Sequence, residues 1–154
     1  MKNEKSHTKM YHKNKKRMEA PICPYCGRRS VLRPAEYIYG EDTITPGSYL
    51  YVCSGYPSCK AYVGVLEGTK KPKGSLADPE LRNKRIRAHR ALEKIVNAGC
   101  MSRKDVYLWL ACRLNLPEEQ THIGIFSDYL CEQVIRECEA VTSNWEGKAG
   151  KHVA

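Results

Sequence analysis

Two short stretches constrain this chain more than any other feature. Residues 23–27 read CPYCG and residues 53–60 read CSGYPSCK. They place Cys23 and Cys26 in one tight turn, and Cys53 and Cys59 in another. Eight cysteines would suggest a disulfide framework in an exported chain. The amino-terminal stretch MKNEKSHTKMYHKNKKRMEA, however, is basic and lacks the apolar core of a secretory signal. A reducing compartment favours thiolate–metal chemistry.

Zinc takes four ligands in a tetrahedron, and a C-x2-C turn supplies one edge of it. Gly27, after the first pair, lets backbone amides turn toward the sulfurs and relieve their charge. Cys53 and Cys59 form the opposing edge. A catalytic zinc keeps an open position, and four thiolates leave none, so the expected role is structural. No thioredoxin-like βαβ pattern surrounds the CxxC to suggest redox work. A β unit of about 45 residues has too small a core to fold well alone, so the metal would supply folding free energy directly. The expected ligands are Cys23, Cys26, Cys53 and Cys59, holding one Zn2+.

The expected fold class is α+β: an N-terminal β zinc ribbon followed by a small three-helix domain. Residues 1–20 read as a disordered basic arm. The ribbon spans 21–66, where SVLRP, EYIYG, SYLYVCS and KAYVGVL read as strands around a GEDTITPG turn. Residues 67–77 (EGTKKPKGSLA) read as a linker. The helical domain spans 78–142, and 143–154 read as a flexible tail. Asp78 caps a first helix with Pro79 in its first turn, and Gly99 ends it. Ser102 caps a second and Ser127 a third. In the third, Leu130, Cys131, Val134, Ile135, Cys138 and Val141 recur at the spacing of one packed face. Cys100, Cys112, Cys131 and Cys138 lack C-x2-C spacing and read as small hydrophobes, not as a second metal site. His89, His122 and Trp109 read as structural. No apolar run approaches the ~18 residues of a membrane span, and a mean hydropathy of −0.58 describes a well-solvated chain.

The net charge of +9 is segregated. Residues 1–104 hold 22 Lys and Arg against 9 Asp and Glu, and residues 105–154 hold 4 against 8. A basic front and an acidic back suit a chain that meets a polyanion with one end.

At CPYCG and YVCSGYPSCKAYVG the chain resembles the C-terminal zinc-finger repeats of type IA DNA topoisomerases. Cys23, Pro24, Cys26, Gly27, Cys53, Ser54, Tyr56, Pro57 and Cys59 match that motif over residues 21–65. The departure is the spacer of 26 residues between Cys26 and Cys53, longer than is usual in that repeat. The whole chain, through the ribbon and the downstream AHRAL, VYLWLA and THIGIF, also resembles a small bacterial and phage family of zinc-finger-containing domains of unknown function. The first resemblance implies single-stranded DNA binding. The second implies a setting in the cytoplasm of a bacterium or a phage-infected host cell.

Seven of the ten tyrosines lie between residues 25 and 62. Exposed aromatics stack bases at ~1–3 kcal/mol each with little sequence preference, although tyrosine is equally a good strand former. The candidate nucleic-acid contacts are Arg28, Arg29, Arg33, Tyr49, Tyr51, Tyr56, Lys60 and Tyr62 on the ribbon, with Arg82 and Arg85 on the basic first helix. The second and third helices are too far apart for a helix-turn-helix, and no base-reading device is evident. No phosphate-cradling glycine loop, HExxH, paired-carboxylate metal site or Ser/His/Asp set can be placed, so no enzymatic activity is expected. The expected function is non-enzymatic binding of nucleic acid, DNA rather than RNA and single strands favoured, with little sequence specificity. The alternative is an adaptor docking on a replication, transcription or defence protein.

Overall fold

The computed structural model describes residues 19–149. Most of the basic arm and residues 150–154 lie outside the described residues. The fold is α+β, a three-stranded antiparallel sheet with clustered cysteines followed by a helical domain.

Strands β1 (Ser30–Pro34), β2 (Tyr49–Cys53) and β3 (Tyr62–Gly64) are ordered β1-β2-β3. Leu32 pairs with Tyr51, which pairs with Val63. Val31 pairs with Val52, which pairs with Tyr62. Paired residues share a face, so the sheet has two distinct sides. On one, Leu32, Tyr51 and Val63 pack with Cys23, Cys53, Ala61 and Leu76. On the other, Leu50, Val52 and Tyr62 pack with Ile38 and Tyr56.

EYIYG, expected as a strand, is instead a helical turn, α1 (Glu36–Tyr39). Ala35 enters the αR region, and its carbonyl accepts from the amides of Ile38 (3.1 Å) and Tyr39 (3.0 Å). The period-two pattern of aromatic residues pointed to β structure. Pro34 closes β1, and β1 and β2 are direct antiparallel neighbours, so the chain between them reverses. A helical turn there lowers Ile38 onto Leu50, Val52 and Tyr62, and that burial decides the conformation over strand propensity.

Residues 67–77, expected as a linker, are built into the ribbon. Leu66 and Lys71 close a hairpin (amide to carbonyl, 2.8 Å), and Ala77 exchanges backbone hydrogen bonds with Tyr62 (3.0 and 3.1 Å). Leu76 is wholly buried. Gly74 lies against Gly124 of the helical domain so closely that a Cβ on Gly74 would sit 1.9 Å from the Gly124 carbonyl oxygen. Neither position has room for a side chain.

The helical domain is built from α2 (Pro79–Asn97), α3 (Arg103–Leu114) and α4 (Asp128–Ala149). The caps fall where side-chain chemistry put them. Asp78 accepts from the Leu81 amide (2.8 Å), Ser102 from Asp105 (3.1 Å) and Ser127 from Leu130 (3.3 Å). Gly99 takes a positive φ of 75° just past α2. Ala88, Leu92 and Ile95 of α2 meet Val106 and Leu110 of α3 and Cys131, Val134, Ile135 and Cys138 of α4. Short 3-10 turns between α3 and α4 insert Ile123 and Phe126 into this core. Cys131 and Cys138 are wholly buried there. The residues from 143 to 149, expected as tail, continue α4. No helix of the described residues is long and apolar enough to cross a membrane.

Candidate metal centre and nucleic-acid face

The four sulfurs of Cys23, Cys26, Cys53 and Cys59 lie within 4.8 Å of one another. Cys23 and Cys59 are 3.6 Å apart and Cys26 and Cys53 are 3.3 Å apart, sulfur to sulfur. A Zn–S bond of ~2.3 Å gives a tetrahedron with edges of about 3.8 Å. The residues present therefore fit one zinc ion.

Each pair is held by its own turn. The Cys23 amide donates to the Arg28 carbonyl (2.8 Å) and the Gly27 amide to the Cys23 carbonyl (2.9 Å). Gly27 has φ 73°, a conformation that costs a side-chain-bearing residue energy. In the second turn the Tyr56 amide donates to the Cys53 carbonyl and the Cys59 amide to the Gly55 carbonyl, both at 3.0 Å. Backbone amides also face the sulfurs. That of Gly55 lies 3.4 Å from Cys53 Sγ.

The electrostatics of the quartet explain why it wants a dication. The Arg28 backbone amide, together with the neighbouring Cys53 thiol, holds Cys26 down at about 7. Burial pushes Cys53 up to about 12 and also raises Cys59. Without metal the cluster supports a thiolate at its exposed corner, while Cys53 and Cys59 keep their protons. Four thiolates side by side become stable only around a bound cation. Cys23 and Cys53 are buried while Cys26 is exposed. The metal thus joins the small ribbon core to its surface.

The candidate contact residues divide by the two sides of the sheet. Arg28, Arg29, Arg33 and Lys60 are exposed. Arg33 lies over the Tyr37 ring, 4.9 Å from its centroid. Tyr49 is exposed at the end of β2. Tyr56 is half-buried and packs against Tyr37, with ring centroids 5.8 Å apart. Tyr51 is buried, and its hydroxyl donates to the Lys70 carbonyl (2.7 Å), so its ring belongs to the core and is closed to a base. Tyr62 is buried too. Its hydroxyl is hydrogen-bonded to that of Tyr39 (2.8 Å), and the Arg82 guanidinium lies 3.5 Å from its ring centroid. Arg82 is half-buried, though without a carboxylate partner among the described residues.

Arg85 is not on the outer face of its helix. It is buried, donating to the Ser75 carbonyl (2.8 Å), the Ser75 hydroxyl (2.7 Å) and the Phe126 carbonyl (3.1 and 3.2 Å). It clamps the segment between ribbon and helices, with four of its five N–H groups engaged and the side chain buried away from any phosphate. Lys84 of the same helix is engaged as well, by Asp128 and Glu132 of α4. In their place the structure exposes two residues outside the candidate set, Tyr37 and Tyr39, at 47% and 51%. The signal for them lay in EYIY, misread as a strand.

A family described as a zinc-finger-containing domain matches residues 19–141. No curated protein and no solved structure matches the chain. The family match takes in the ribbon, the built-in segment and nearly all of the three helices. The cysteine quartet that gives such a domain its metal is complete here. This chain therefore belongs to the family of zinc-finger-containing domains.

Proposed function

We propose that the chain is a non-enzymatic nucleic-acid-binding protein whose one zinc ion is structural. It takes DNA in preference to RNA, favours single strands and has little sequence specificity. The observation that carries this reading is the solvent side of the ribbon on which Tyr37 and Tyr39 stand exposed and Arg33 lies across Tyr37, with Tyr49 exposed on the opposite side of the sheet. Arg28, Arg29 and Lys60 of the ribbon are exposed as well, and none of these cations has a carboxylate partner among the described residues. Rings with adjacent unpaired cations are what an unpaired strand requires: a stack for its bases and charge for its phosphates. The ribbon's resemblance to the topoisomerase repeats supports the same reading.

The test is a titration of the zinc-loaded full chain with labelled single-stranded DNA and RNA of matched sequence, by anisotropy, at low and physiological salt. DNA binding that falls steeply with salt and weakens on Tyr37→Ala or Arg33→Glu is expected. Zinc content at one per chain with no binding at low salt would sink the reading.

A second reading, a protein-docking adaptor, is favoured by one observation. A cleft of about 510 Å³ between the ribbon and the helices is lined by apolar Pro24, Leu81, Ile125 and Phe126 beside Tyr25. Under that reading Ile125→Asp abolishes partner binding and leaves any affinity for DNA unchanged.

A further inference from the structure

The exposed surface of the ribbon continues onto α2, and Arg82 is the joint. Its guanidinium covers the Tyr62 ring at 3.5 Å, and its Nη1 donates to the Ala77 carbonyl (2.5 Å) and to the Lys60 carbonyl (3.4 Å). One side chain of α2 is thereby fastened to β3 and to the second zinc turn, so the ribbon face and the helix hold a set relative orientation. From Arg82, Ile86 and Arg90 follow at i+4 and i+8 along one ridge. Arg87, Arg90 and Lys94 recur at i, i+3 and i+7 on the outward stripe, away from buried Ala88, Leu92 and Ile95. All three cations are exposed.

The charge of this stripe is uncompensated. The ion pairs of the described residues engage Lys84, Arg103 and Arg113, and none reaches Arg82, Arg87, Arg90 or Lys94. Glu93, the acid nearest in sequence, is held by Arg103. Lys84, Arg103 and Arg113 are each held by a carboxylate, whereas this row, four cations along one helix, is left open.

The two halves of the surface suit different nucleic-acid structures. Stacking on Tyr37 or Tyr39 needs unpaired bases. The α2 stripe offers cations and no aromatic ring, so it can take phosphates and cannot take bases. From Arg87 to Lys94 it spans about 10 Å, the rise of about three base pairs. Between the halves stands Ile86, 47% exposed, an apolar group of the kind that packs against an open base step.

We propose that this protein binds the junction at which a duplex opens into a single strand. The unpaired strand lies on the tyrosine face of the ribbon, the duplex backbone follows Arg87, Arg90 and Lys94, and Ile86 abuts the last base pair. This deepens the single-strand reading above and rests on it.

The experiment compares a single strand, a blunt duplex and that duplex extended by the single strand, with zinc-loaded full chain, across a salt series. The variant R87E/R90E/K94E changes only exposed positions, and its zinc content and helicity are checked first. The junction is expected to bind about tenfold tighter than either component. Its log K against log salt should be steeper than the single strand's by about 2 to 3, from three phosphates at about 0.9 each. The variant should lose that advantage while its affinity for the single strand stays within about twofold. Equal affinity for junction and single strand overturns the junction proposal and leaves the single-strand reading standing. So does a variant that weakens all three DNAs alike. No binding to any of the three removes both.

Discussion

Leu76 offers the sharpest test of how the two halves of the chain are joined. By composition it lies in a Gly-, Pro- and Lys-rich connector, where truncating one side chain should be nearly neutral. In the structure it is wholly buried, packed with Cys23, Tyr51, Cys53 and Ala61 at the floor of the metal site. Leu→Ala at a fully buried position costs about 2–5 kcal/mol, the lost transfer energy plus the cavity. The ribbon core is small and its zinc restrains collapse around the gap, so a value near 3 kcal/mol is expected. For a domain of this size the urea m-value is about 1.5–2 kcal/mol per molar, which puts the midpoint shift of Leu76→Ala near 1.5–2 M. The assay is urea unfolding of the zinc-loaded protein, read in parallel by far-ultraviolet circular dichroism for the helices and by zinc release to a metallochromic indicator for the ribbon. Lys71→Ala, exposed in the same segment, is the control and should leave the midpoint unchanged. Both probes should shift together for Leu76→Ala, because Arg85 and the Gly74–Gly124 contact tie this segment to the helical core. A shift below about 0.3 M would show that residue 76 belongs to a loose linker and would refute the packing argument.

Gly74→Ala drives a Cβ into the Gly124 carbonyl and should destabilise by about 2–3 kcal/mol in the same assay, with no change in zinc stoichiometry. Zinc affinity should rise with pH through the neutral range. Cys53, pushed up to about 12, and Cys59, also raised, hold protons at pH 7 that the metal must displace. These two displaced protons alone make the apparent affinity climb at least about 100-fold per pH unit, and a competition titration with a chelator at several pH values would expose a flat profile. Cys138→Ser introduces a hydroxyl into a wholly buried apolar site and should cost about 1–3 kcal/mol while zinc stays at one per chain. Loss of metal from that variant would mean that the helical cysteines bind it.

What could be read from the sequence is what depends on neighbours a few residues apart. The two cysteine turns, the caps at Asp78, Ser102 and Ser127, the glycine after α2 and the strands SVLRP and SYLYVC all follow from contacts within a turn or along a strand. Each needs only local geometry, so a local pattern reports it. The metal ligands belong here too, because two tight turns of the same chemistry have one economical use for their thiols. Arg85 was half legible. It stands at i−3, i−7 and i−10 from Ala88, Leu92 and Ile95, squarely on the buried stripe, and only its charge argued for solvent.

What the tertiary structure alone decided is which partners those positions meet. Arg85 turns inward because the carbonyls of Ser75 and Phe126, 10 and 41 residues away, can satisfy a guanidinium there. Tyr51 and Tyr49 share a strand face, but only Tyr51 is covered, by the segment ending in Leu76. EYIY coils because Ile38 finds Leu50, Val52 and Tyr62 beneath it. The sorting of tyrosines into core and surface, on which the proposed nucleic-acid face depends, is a matter of burial. Burial is set by chain segments that a local pattern does not contain.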